Sequence, residues 1–419
     1  MSRSPRPTAP LPGRERIARI KARLGELVGC YSPSHGEGAL LDRLVTTLQG
    51  AGYRPTVQPI EGAAGNLLIS LCDDGSGALP GDIWLTHYDT VSEHLGAGPR
   101  LVCVDDEATG LGVVDTKGAI AALIDVLVED AAAIRAAAPR LGVVLVCDEE
   151  DMQTGVGGLI DAATGPFDRG DRAATATAAT TNAAAPRSAT AAPTSALVFE
   201  PTRSRMQSRF RGFAELELEV ESRQLHAAFA AEVDGAAWLL AATAAAFRAR
   251  LAAVYGDAVA LNLRELASGP SGFVTPARAS LSLDAHADPT IAPAEIERLF
   301  RETVQAARRA SPHAAFQIPY ARSFRGQVDA PDHGPLAALA AAFGSARAAA
   351  TEAFPSHSDA NVLAEAGCLS TVFGPGDLRV AHGPGERVSL VELARFAETL
   401  HHAWPLYARA PAATTTRRP

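Results

Sequence analysis

"LTHYDTV", residues 85–91, closes an apolar run that begins at Ile83. In an extended strand alternate side chains share a face, so His87 and Asp89 project together. Taken alone the pair decides little, because half-buried strands often end in polar residues. Its weight depends on what the rest of the chain delivers at comparable strand ends.

Downstream, "KGAIAALIDVLVEDAAAIRAAA" from Lys117 has the spacing of one long helix. "LGVVLVC", residues 141–147, is the short continuous apolar run of a buried strand. Upstream, "RERIARIKARLGELV" and residues 38–49 have helical spacing, while "PTVQPI", "NLLISL" and "DIWLTHYD" have strand character. Strands alternating with helices predict an α/β domain with a mostly parallel central sheet.

From about Gly212 the pattern changes. "GFAELELEVES" alternates, a long Ala-rich helix follows, then come "AVALNLREL", "ARASLSLDAH", a helix opened by Pro293, and "AAFQIPYA" as a last strand. The order β-α-β-β-α-β describes a ferredoxin-like module. Helix 332–348, strand "LSTVFG" and helix "SLVELARFAETLHHAW" then return to the first pattern, so the module is inserted. The expected boundaries are 16–208 and 323–408 for the larger domain and 209–322 for the insert. Residues 1–15 and 409–419 are expected to be disordered tails, and the Ala/Thr tract 171–195 a low-complexity surface insertion.

A chain of 419 residues, 47% hydrophobic, can build two or three domains. Its net charge of −9 argues against a nucleic-acid partner or an anionic membrane surface. The most apolar stretch, "GAAWLLAATAAAF", stops at Arg248 and reads as a packed helix rather than a membrane span. The first residues lack the apolar core of a secretory signal. Five cysteines without a CxxC pair suit reduced thiols, so a cytoplasmic location is expected.

"GLGVVDTKGAIAALI", from Gly110, invites a dinucleotide-binding reading. The sixth position, however, is Asp115, whose carboxylate would repel phosphate. "VVLVCDEED" delivers Asp148, Glu149, Glu150 and Asp151 beyond a buried strand. "SALVFEPT" ends a strand on Glu200, and "VFGPGDLRVAHGPGE" leads through a Gly/Pro turn to His382. Several strand ends supplying His or carboxylate would repel one another without cations. Two His and several acids suit zinc, and two metals sharing one carboxylate would account for the excess of acid.

"HYDTV", "GVVDTKG", "DEE", "FEPT", "SHSDANVLAEAG" and "FGPG…AH" fall in the order of a known family. The chain resembles the di-zinc amidohydrolases and exopeptidases that include acetylornithine deacetylase, succinyl-diaminopimelate desuccinylase and carboxypeptidase G. The resemblance covers nearly the whole chain, and the family uses the inserted module as a dimerisation lid. It implies two zinc ions, with cobalt or manganese as substitutes, bridged by Asp115. His87 and Glu200 complete one site, and Glu150 and His382 the other. Asp89 orients the His87 ring and Glu149 is the general base. His226, in "SRQLHAAFA", acts at the partner's site, and the peptide after Asp115 is often cis. Gly374 and His357 fall in substrate-facing loops.

One departure affects the substrate anchor. The lid strand reads "LDAHAD", so His286 stands where the family has an Arg; Arg322 and Arg325 in "ARSFRGQ" are candidate replacements. The expected activity is hydrolysis of the amide of a small N-acyl amino acid, with a carboxypeptidase or dipeptidase as the enzymatic alternative. A catalytically silent binding protein of the same fold is the alternative outside enzymes.

Overall fold

The strand expected at Ile83 runs Asp82–His87 and lies inside a six-stranded sheet in the computed structural model. The structure describes residues 13–72, 78–93, 100–164, 192–270, 272–328, 336, 339 and 353–408. The expected tails, most of the Ala/Thr tract and most of the helix expected at 332–348 lie outside the described residues.

Across the sheet the strands run Thr56–Gln58, Asn66–Ser70, Gly142–Val146, Asp82–His87, Ser195–Val198 and Leu369–Val372. The last four are mutually parallel, while the first two pair antiparallel. The sheet is therefore mixed, and its parallel part sends four strand ends to one edge.

Helix Lys117–Glu129 is buried almost all round because it packs between the sheet and two outer helices, Arg14–Val28 and Leu390–Ala408. Its buried Asp125 faces Arg19 at 2.8 Å, Arg16 at 3.3 Å and Arg23 at 3.7 Å on the first helix. An interior carboxylate needs such partners. The single long helix expected here is two, because Asp130 leaves helical geometry before Ala131–Ala137. The Asp130 carboxylate turns instead to the indole N–H of Trp404 at 3.2 Å and to His401.

The second sheet is the insert, with its own apolar cluster. Strands Ala315–Gln317, Gly212–Glu221, Arg278–Ala287 and Val259–Gly269 are antiparallel neighbours, covered by helices Ala236–Tyr255 and Pro293–Ala310. Ala236–Ala258 is long and apolar enough to cross a membrane by length and composition alone, but it is a packed helix of the insert, as its sequence suggests. Its Leu239, Leu240, Phe247 and Leu251 are buried in the insert's cluster. The expected last strand is split: Ala315–Gln317 and Ala321–Phe324 both pair with Gly212–Glu221, separated by Ile318–Tyr320. Pro319 has no N–H to give the ladder. The second piece extends to Phe324, past the expected boundary at 322.

Candidate active site

Each predicted ligand leaves a strand end or a turn folded over one. His87 ends its strand, and Asp148–Asp151 and Glu200 follow the parallel strands on either side. Asp115 comes from the turn before helix Lys117–Glu129, and its peptide to Thr116 is cis. His382 and Asp148 both adopt φ of +58°, left-handed geometry uncommon for residues with side chains.

Asp115 is the meeting point. Its Oδ1 lies 3.0 Å from His87 Nε2, and its Oδ2 lies 3.2 Å from His382 Nε2. His382 Nε2 also lies 3.0 Å from Glu150 Oε1. Donor atoms of His87, Asp115 and Glu200 form one group within 4.8 Å, and those of Asp115, Glu150 and His382 form a second. His87 is buried, while the His382 side chain is 44% exposed, so the site opens on that side.

Neighbouring residues fix this arrangement. His87 Nδ1 faces Asp89, 3.2 Å from its carbonyl oxygen and 3.4 Å from Oδ1. The Asp89 carboxylate accepts hydrogen bonds from the amides of Glu149 at 3.1 Å and Glu150 at 3.0 Å, and from Ser34 Oγ at 2.7 Å. Glu386 accepts the amides of Val114 at 2.8 Å, Gly112 at 2.9 Å and Asp115 at 3.3 Å. The glycines that invite a dinucleotide reading thus belong to the turn that presents Asp115; Gly112 has φ of +78°.

Burial opposes charge on Asp115, yet hydrogen bonds from His382 and His87 hold its carboxyl well below the usual range. Burial pushes Glu149 and Glu200 well above theirs, with His87 pulling each back and neighbouring acids adding to the rise. Burial raises Glu150 too, against the pull of His382. Asp359 is pushed up to about 8, first by burial. Both Asp359 oxygens are buried without a hydrogen-bond partner among the described residues. So many acids packed together, with two imidazole nitrogens aimed among them, fit a pair of cations that would relieve their repulsion.

The remaining predicted residues lie in different places. His226 is exposed and outside both ligand groups; its Nδ1 accepts the Ala228 amide at 3.2 Å. His357 stacks on Phe213 with centroids 4.5 Å apart, lies 5.0 Å from Phe324, and has Nδ1 3.3 Å from Gln153 Nε2. His286 tilts against the same Phe213 at 5.2 Å. Burial lowers the pKa of both rings, His357 well below its ordinary value. Arg322 is buried and holds protein groups, Glu215 and two backbone carbonyls, rather than facing a vacant pocket. Arg325 points outward, its side chain 71% exposed, 3.6 Å from Glu365. Gly374 lies against the backbone of Glu200.

Sequence reasoning passed over Asp359, Glu386 and Gln153. Asp359 stands inside the quoted "SHSDANVLAEAG" and could have been singled out there. Glu386 closes "HGPGE", but only the fold shows that it caps a turn some 270 positions earlier.

Two candidate ligand groups joined through one carboxylate, beyond the carboxyl ends of an α/β sheet, could hold two metal ions in the manner of a dinuclear hydrolytic site. The chain belongs to peptidase family M20/M25/M40, whose pattern matches residues 83–405. It is an enzyme of this metallopeptidase and amidohydrolase family. Acetylornithine deacetylase of Myxococcus xanthus is 27% identical over 410 residues, which span 92% of this chain and 97% of that one. Solved structures share the fold. A Staphylococcus aureus tripeptidase superposes with a TM-score of 0.68 at 15% identity, over 96% of this chain and 100% of its own. Human carnosine dipeptidase 1 gives 0.66 at 14%, over 94% and 98%. A dinuclear metal-binding M20 peptidase of Bacillus subtilis gives 0.61 at 11%, over 95% and 99%.

Proposed function

We propose that this enzyme is a zinc-dependent deacylase that hydrolyses the amide of a small N-acyl amino acid. The observation that carries the reading is the division of labour at Asp115. Two ligand groups share that residue, while Glu149, beside Glu150, belongs to neither. The Myxococcus xanthus deacetylase, 27% identical where the peptidase structures quoted above are 11–15% identical, supports deacylation over peptide cleavage.

Zinc held by His87, Asp115 and Glu200, and by Asp115, Glu150 and His382, would polarise the scissile carbonyl and acidify the attacking water. Glu149 takes the proton from that water and passes it to the leaving nitrogen. Its carboxylate accepts one hydrogen bond from Gln153 Nε2 at 3.3 Å, which steadies one oxygen. The tetrahedral oxyanion needs a further donor, and we assign it to His226 of a second copy. The accepting Nδ1 leaves Nε2 of a neutral His226 ring to carry the hydrogen, on an exposed side chain. The lid's edge strand Val259–Gly269 exposes Leu263 and Leu266, and Trp238 on the adjoining helix is also exposed. Such apolar surface suits burial in a homodimer. Free cysteines support a cytoplasmic setting.

Zinc-loaded protein assayed on N-acetyl amino acids and on dipeptides tests the reading. Higher kcat/KM on the acetylated series is expected; a preference for dipeptides would make the enzyme a peptidase instead. Glu149→Ala should reduce turnover by at least about 10²-fold with two metals retained. Near-normal activity in that variant would remove Glu149 from the mechanism.

A further inference from the structure

The loop that carries Glu149 and Glu150 is held from two sides. From the catalytic sheet, the Asp89 carboxylate accepts the Glu149 and Glu150 amides. From the lid, Arg322 reaches the carbonyls that follow. Its Nη2 donates to the Asp151 oxygen at 3.2 Å and its Nη1 to the Met152 oxygen at 3.0 Å. Acceptor and donor thus grip one short loop from opposite domains, at the amides of residues 149 and 150 and at the carbonyls of residues 151 and 152.

The Arg322 fork is itself fixed. Arg322 and Glu215 are direct cross-strand partners in the lid sheet, and Arg322 Nε donates to Glu215 Oε2 at 2.9 Å. Both side chains are buried, with 7% and 2% exposure. The other Glu215 oxygen accepts from Arg264, on the lid's edge strand. The Arg322 guanidinium also lies 5.4 Å from the Phe324 ring centroid and 5.7 Å from that of Tyr320. Two ionised side chains are not buried together unless the geometry is well satisfied, and here every Arg322 nitrogen has an acceptor.

We infer that Arg322 is a positioning residue: it sets the loop that presents Glu149 and Glu150, and makes that setting depend on the lid's orientation. The lid is docked on the catalytic loop through a guanidinium that demands two carbonyls and one carboxylate at fixed angles. A lid displaced by an ångström loses those bonds and releases the loop from one side. Misplacement of that order at a catalytic group can cost about 10²-fold in rate. The consequence for turnover rests on Glu149 accepting the proton, as proposed above; the grip on the loop does not.

The test uses full-length, metal-loaded protein and two readouts. Arg322→Met should lower kcat by about 10-fold or more while KM stays within about threefold and two metals remain bound. Peptide-level hydrogen exchange should become faster across residues 148–153. Arg322→Lys, which has one donor group and no fork, should recover only part of both effects. Because Arg322→Met leaves Glu215 buried beside one remaining Arg, the double variant Arg322→Met/Glu215→Met provides a folded comparison. It should regain thermal stability yet keep the slow kcat and fast exchange. If exchange across the loop is unchanged in a folded variant, or rises with kcat unaltered, the inference is overturned. Recovery of kcat and exchange in the double variant would overturn it as well. If the wild-type enzyme turns over neither substrate series, the function proposed above fails, while the exchange readout still decides whether Arg322 holds the loop.

Discussion

Gly374 lies so close to Glu200 that a β-carbon on it would stand 2.5 Å from the Glu200 carbonyl oxygen. The same glycine's carbonyl accepts from the Thr202 amide at 3.2 Å and the Ser204 amide at 2.8 Å, lacing the two loops together. Glycine at this position therefore lets the loop pack against the strand end that carries Glu200, a candidate metal ligand. Gly374→Ala forces backbone apart, at a cost of about 1–3 kcal/mol. It should lower the melting temperature and weaken metal binding at the His87, Asp115 and Glu200 group. Titration calorimetry showing unchanged affinity for both ions would refute this account of Gly374.

Glu386 works at the other ligand turn. Its carboxyl is pushed up to about 7, mainly by burial, with the bound amides pulling the other way. Glu386→Ala strands the amides of Gly112 and Val114, and an unpaired buried donor is costly. Metal affinity should fall by about 10–100-fold, as for other groups that orient ligands. Competition against a chelator measures it, and an unchanged dissociation constant would mean the turn holds itself.

Whether the inserted module works across a homodimer can be tested by mixing two inactive variants. His226→Ala and Glu149→Ala proteins should each be inactive. If His226 serves the partner's site, a mixed dimer has one site with both defects and one with neither. In an equal mixture after random exchange, half the dimers are mixed and half their sites are intact. Activity should recover to roughly one quarter of wild type. Zero activity after demonstrated subunit exchange would place His226 within its own chain's chemistry, or outside it.

What could be read in the sequence follows a physical divide. His87, Glu150 and Glu200 were legible because an apolar run of strand length announces where each emerges, and α/β sheets bind ligands there. Asp115 and His382 were legible through their turns and through the ordered resemblance. The supporting residues were not, because their meaning lies in partners remote along the chain. Arg322 looks like a free cation in "ARSFRGQ" until the fold sets it opposite Glu215 and over the Asp151–Met152 carbonyls. The break at Asp130 likewise depends on Trp404, which no local helical spacing reveals. The strand break at Pro319 had a local signal, the missing N–H, that alternation in "AAFQIPYA" masked.

The central claim is that one carboxylate serves two metal ions, and metal content tests it most directly. Wild-type protein, loaded with zinc and freed of excess, should hold two ions per chain. Asp115 Oδ1 and Oδ2 face different histidines, so Asp115→Ala removes a ligand from both groups at once. On this account it also leaves Glu150 and Glu200 without the shared cation centre that would relieve their repulsion. Elemental analysis of the folded variant should find less than about one ion per chain, with hydrolysis lost in parallel. Two ions retained at wild-type affinity would contradict the shared-ligand account.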